Sequence, residues 1–96
     1  MTSAGKLCSA PDIPVPSKRD CQTAAKTLGG AFRGTITPGP ISSFSFAQKG
    51  CIMCFKNDCY TEDFTEDPKG VWWNPSGMDK QEDVQFQRAR AICFGR

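Results

Sequence analysis

Ninety-six residues, 39% hydrophobic and 23% charged, bound this chain to one modest core: there is no material for a second functional domain, and no apolar run nears the roughly 20 residues of a membrane-spanning helix. A net charge of +2, with no single basic run, argues against a nucleic-acid binder, and the acidic residues concentrate after residue 50. The chain has no histidine, which removes Ser-His and Cys-His nucleophile pairs, imidazole zinc sites and the usual general base near neutral pH.

In chain order, residues 1–16 form an extended, Pro-rich N-terminal segment, because Pro11, Pro14 and Pro16 exclude helix interiors and central strands. A helix follows. Ser17 is its N-cap, Asp20 completes a near capping box, and Gly29-Gly30 is its stop. Cys21, Ala24, Ala25 and Leu28 fall at i, i+3, i+4 and i+7, which sets one apolar face and points the Cys21 sulfur at the core. Residues 34–40 read as a loop. The stretch from Ile41 to Ala47 alternates Phe44 and Phe46 with Ser43 and Ser45, the pattern of a strand.

Cys51 to Phe55 is a second strand, Lys56-Asn57-Asp58 a turn, and Cys59-Tyr60 the start of a returning strand, so a short hairpin is expected. Asp67-Pro68-Lys69-Gly70 forms a turn, Val71 to Asn74 the next strand, and Asn74-Pro75-Ser76-Gly77 its closing turn. Residues 79–87 are ambiguous between one or two helical turns and an exposed loop, and Ala89 to Phe94 reads as a final strand. The expected fold class is α+β: one helix packed on a small antiparallel sheet, in a single domain over residues 1–96.

Six cysteines, Cys8, Cys21, Cys51, Cys54, Cys59 and Cys93, admit three chemistries. Cys51-x2-Cys54 has the spacing of a zinc knuckle, but a second knuckle is missing and a four-thiolate site leaves two thiols unexplained. A redox Cys-x-x-Cys needs a helix N-terminus to stabilise its thiolate, and a turn follows Cys54 instead. Structural disulfides use all six thiols and suit a small core. Of the 15 possible pairings, spacing favours Cys54 with Cys59 across the short hairpin, Cys21 with Cys51 from helix to central strand, and Cys8 with Cys93 joining the ends. The opening MTSAGKLCSA lacks a charged region followed by an apolar stretch, so the expectation is a mature module, its leader removed and its Met1 added. An intracellular protein with reduced thiols is the alternative.

Several of these residues recur in one order: Cys8; Cys21-Gln22-Thr23-Ala24-Ala25-Lys26-Thr27-Leu28-Gly29; Lys49-Gly50-Cys51; Val71-Trp72-Trp73-Asn74-Pro75; Ala91-Ile92-Cys93. The pattern resembles a small cysteine-rich extracellular module common in marine algae and other protists, over most of residues 8–94. The resemblance implies bridges among Cys8, Cys21, Cys51 and Cys93, with Cys54 and Cys59 a local addition. Gln48-Lys49 departs from the module's usual proline before Gly-Cys. What the resemblance implies is location and architecture more than activity.

For binding, adjacent Trp72 and Trp73 face opposite sides of a strand, one toward the core and the other partly exposed or covered by residues 79–87. An exposed indole beside Asn74 and Tyr60 could stack on a sugar ring. Glu62, Asp63, Glu66 and Asp67 lack the spacing of a calcium loop and read as a solvated acidic stretch. Lys18, Arg19, Arg88, Arg90 and Arg96 would make a basic patch only if helix start and final strand are neighbours, and they lack the aromatic interleaving of single-stranded nucleic-acid binders. The sum is a non-catalytic module, without cofactor or metal, of an extracellular or oxidising lumenal assembly. It would dock to a protein partner through an aromatic patch, with no nucleic acid and no membrane span. The alternatives are a glycan-binding module of a cell-surface protein and an intracellular zinc protein with four thiolate ligands.

Overall fold

A computed structural model describes residues 1–10, 12–36, 43–55, 59 and 69–94, without the side chains of residues 43 and 44. The elements are β1 (Ile13–Pro14), α1 (Lys18–Thr27), β2 (Phe32–Thr35), β3 (Gly50–Cys54), β4 (Gly70–Asn74), β5 (Arg90–Ala91) and β6 (Cys93–Phe94), with 3-10 turns at Ser43–Phe46 and Gln81–Asp83. This is the expected α+β fold with one helix, held by three disulfides. The main sheet is mixed, in the order β2-β4-β3-β5, and β1 pairs with β6 in a separate two-stranded ribbon.

The helix begins and ends for local reasons. Ser17 is extended, its Oγ accepts the Asp20 backbone N–H at 3.2 Å, and its hydroxyl donates to the Asp20 carboxylate at 2.9 Å. At the other end Gly30 N–H reaches the Ala25 carbonyl and Gly29 N–H the Lys26 carbonyl, a paired closure that needs the positive φ of 72° at Gly29. Leu28 is the C-cap, so the chain turns away before its side chain can join the buried stripe. It is 45% exposed, against the expectation of a fourth buried position, while Cys21 and Ala25 are buried.

β3 is buried along its whole length, because both faces of the sheet are covered and both of its edges are paired. One face, with Cys51 and Met53, meets α1 through Cys21 and Ala25, together with Val15, Val71 and Ile92. The other face, with Ile52 and Cys54, is covered by irregular chain contributing Ile36, Ala47, Cys59, Phe86 and Ala89.

Four expectations are corrected. Phe32–Thr35 is a strand, paired parallel to β4, where a loop was expected from residue 34. Ser43–Phe46 is a 3-10 turn and not a strand: the Phe46 carbonyl accepts the N–H groups of both Gln85 and Phe86, which ties the turn to irregular chain in place of a ladder. Cys59 lies in a turn, where the start of a returning strand was expected; residues 56–58 and Tyr60 of the expected hairpin lie outside the described residues. The final strand is two: Arg90–Ala91 pairs with β3, and beyond Ile92 the chain passes to Cys93–Phe94, which pairs with β1.

Candidate functional site

The cysteines decide the first question about the site. Cys8 bonds Cys93, Cys21 bonds Cys51 and Cys54 bonds Cys59, the set that spacing favours, and none is free. With every sulfur paired, no thiolate remains to bind zinc, and the four-thiolate reading falls on chemistry. Among the described residues, no group of three His, Cys, Asp or Glu side chains has the arrangement of a metal site.

The two indoles divide between the two cores. β4 pairs antiparallel with β3, Cys51 opposite Trp73 and Ile52 opposite Trp72, so the side-chain alternation of the strand sends each ring to a different face. Both are half-buried, where one was expected inside the core. Trp72 packs against the cluster built around Ile52, and the Arg33 guanidinium lies 5.4 Å from its ring centroid. Trp73 packs on the helix-side cluster and keeps an open side.

That open side is a groove of about 360 Å³. Its first wall is the N-terminal segment, through Leu7, Cys8, Pro14, Val15 and Pro16. Its second comes from β3, β4 and the turn beyond, through Lys49, Gly50, Trp73, Pro75, Met78 and Asp79. Lys49 and Asp79 are the charged residues of the lining, both exposed; the rest is glycine, half-cystine and apolar side chains. Proline places rigid apolar rings at the surface without a backbone donor, so the three prolines and the indole give the groove apolar walls.

Asn74 does not share this surface. It is fully buried, and its Nδ2 donates to the Gln48 carbonyl at 3.0 Å. Gln48, also fully buried, donates from Nε2 to the carbonyls of Lys6 (3.0 Å) and Ala89 (2.8 Å). The Met78 N–H meets the Ala47 carbonyl and the Lys49 N–H meets the Met78 carbonyl, which fixes Lys49 and Met78 at the groove. A Cβ at Gly77 would stand 2.6 Å from Asn74 Nδ2 and from the Gln48 carbonyl oxygen, so this closing turn needs glycine. Asn74 and Gln48 thus belong to the frame that carries the groove. The Asn-Pro-Ser-Gly turn directly after a strand was the one signal of that frame in the sequence.

Tyr60, the acidic residues Glu62, Asp63, Glu66 and Asp67, and Arg96 lie outside the described residues. Of the other basic residues, Arg88 stands over Phe86 at 5.8 Å and Arg90 over Phe55 at 5.5 Å. The interleaving of arginine with aromatic rings missing from the sequence is therefore present in space, as intramolecular stacking that covers one face of each ring. Comparison with family models, with curated proteins and with solved structures returns no match.

Among the described residues, no helix is long and apolar enough to cross a membrane.

Proposed function

We propose that this chain is a non-catalytic docking module of an extracellular or lumenal assembly, and that a protein partner seats in the groove beside Trp73. The observation that carries this reading is the lining itself: an indole, three prolines, Leu7, Val15 and Met78 offer apolar contact, with Lys49 and Asp79 left for orientation. Three disulfides are what a small chain carries in an oxidising environment, and the resemblance to the cysteine-rich modules of algae and protists supplies the extracellular setting. Lack of histidine and of any paired acid and base in the groove favours binding over catalysis.

The glycan reading keeps one supporting observation, that Trp73 is flanked by two exposed charged side chains able to bond hydroxyl groups. A parallel screen separates the two. Displayed extended peptides and a glycan array are probed with the wild type and with Trp73→Ala. Peptide ligands lost in Trp73→Ala support protein docking; glycan ligands lost in that variant, with no peptide ligand, replace it with the sugar reading.

A further inference from the structure

The three bridges differ in how a reductant can reach them. Cys21, Cys51, Cys54 and Cys59 are each at most 1% exposed, whereas Cys8 and Cys93 are both partly exposed. Cys8 borders the Trp73 groove, and Cys93 borders two shallow depressions, one beside α1 and one beside the first residues of the chain. Thiol–disulfide exchange requires a thiolate to approach a sulfur in line, so access separates this bridge from the other two.

The same bridge fastens a wall of the groove. Residues 1–16 supply Leu7, Cys8, Pro14, Val15 and Pro16, and their single covalent attachment to the far end of the chain is Cys8–Cys93. Otherwise their described residues are held by the two-residue pairing of β1 with β6, by the burial of Val15, by the Thr2 and Gly5 N–H groups donating to the Ala91 and Ala89 carbonyls, by the Ala91 N–H donating to the Thr2 hydroxyl, by the Gln81 side chain bonding Gly5 and Leu7, and by Gln48 Nε2 donating to the Lys6 carbonyl. The opposite wall rests on β3 and β4, whose pairing runs over five residues and whose covering helix is tied by the buried Cys21–Cys51 bridge. One wall is therefore a strap with an accessible clasp, and the other is part of the core.

We propose that Cys8–Cys93 is a redox clasp: its selective reduction loosens the N-terminal strap and opens the Trp73 groove while the rest of the fold stays closed. This rests on the reading of the groove as the docking site. The reductant is a dithiol. Its thiolate attacks one sulfur of the bridge, forming a mixed disulfide and releasing the other sulfur as thiolate. Its second thiol then closes the reductant's own disulfide. Two electrons and two protons pass to the protein, leaving Cys8 and Cys93 as thiols.

The test takes the folded protein through graded dithiothreitol, quenches with iodoacetamide and maps the labelled cysteines, with amide exchange followed on the species carrying two labels. Cys8 and Cys93 are expected to label at reductant concentrations about tenfold below those that label the other four. In that species the amides of Thr2, Gly5 and Leu7 should exchange at least about tenfold faster, with those of Ile52 and Trp72 unchanged. Earlier or simultaneous labelling of any other pair overturns the proposal, as does unchanged exchange in the strap. The paired substitution Cys8→Ser with Cys93→Ser should reproduce the loosened strap on a folded core; global unfolding would show a staple for the whole fold and overturn the clasp. None of these readouts involves a partner, so failure of the docking screen with the expected order of reduction breaks the groove reading alone.

Discussion

The two faces of the main sheet are closed in different ways. On one, a ten-residue helix with a cap at each end lays Cys21 and Ala25 onto Cys51, Met53 and Val71. On the other, pieces of irregular chain deliver single residues, Ile36, Ala47, Cys59, Phe86 and Ala89, around Ile52. The helix is held by its own hydrogen bonds and needs one fastening. The irregular cover has no repeating ladder, so it depends on separate anchors: the Phe46 carbonyl receiving Gln85 and Phe86, Gln48 bridging to Lys6 and Ala89, and the Cys54–Cys59 bridge. A short chain can thus bury both faces of a sheet with one helix, provided that covalent and side-chain ties replace the second layer.

Chain entropy ranks the ties. In that model the bridge over 85 residues stabilises by about 4.5 kcal/mol, that over 30 by about 3.6 and that over 5 by about 2. The most accessible bridge is therefore also the one that restrains the unfolded chain most.

Substitutions on each face sharpen the comparison, the largest effect first. Replacing Cys21 and Cys51 together with alanine should cost about 4 kcal/mol in urea unfolding, since bridge and buried contacts go together. Ile52→Ala, at the centre of the loop-covered face, should cost about 3 kcal/mol, and local exchange should rise first in residues 84–89, because irregular chain has no ladder to hold it over a cavity. If exchange rises equally in α1, the faces are not independent. Ser17→Ala should cost about 1 kcal/mol and fray only the first turn of the helix, seen as a small loss of helical circular dichroism. Arg90→Gln, which removes the cation over Phe55, should cost about 0.5 kcal/mol or less, readable as a shift in the urea midpoint.

The helix was legible because cap, apolar period and glycine stop agree over fourteen residues, from Ser17 to Gly30. β4 was legible from its bulky run, and the cysteine pairing that spacing favours is the one found, although Cys59 lies in a turn and not in the returning strand expected for it. The loop-covered face was not legible, since its residues arrive singly from distant segments and leave no period. Phe32–Thr35 was hidden by Gly34 and by the loop signals after it. In the 41–47 stretch the alternation of Phe and Ser imitates a strand, yet Ser43–Phe46 is a turn. The groove was half legible: the tryptophans were marked, but the N-terminal wall, with Pro14 and Pro16, read only as extended chain. Asn74 was taken for a surface group, because nothing local distinguishes a polar side chain exposed beside a turn from one buried beneath it.

Three sulfur pairs hold this fold, and a peptide map under non-reducing conditions measures them directly. The expected intact mass is six hydrogens below that of the fully reduced chain, with cross-linked fragments joining Cys8 to Cys93, Cys21 to Cys51 and Cys54 to Cys59. Free thiols in the folded protein, or a fragment joining any other two cysteines, would contradict it.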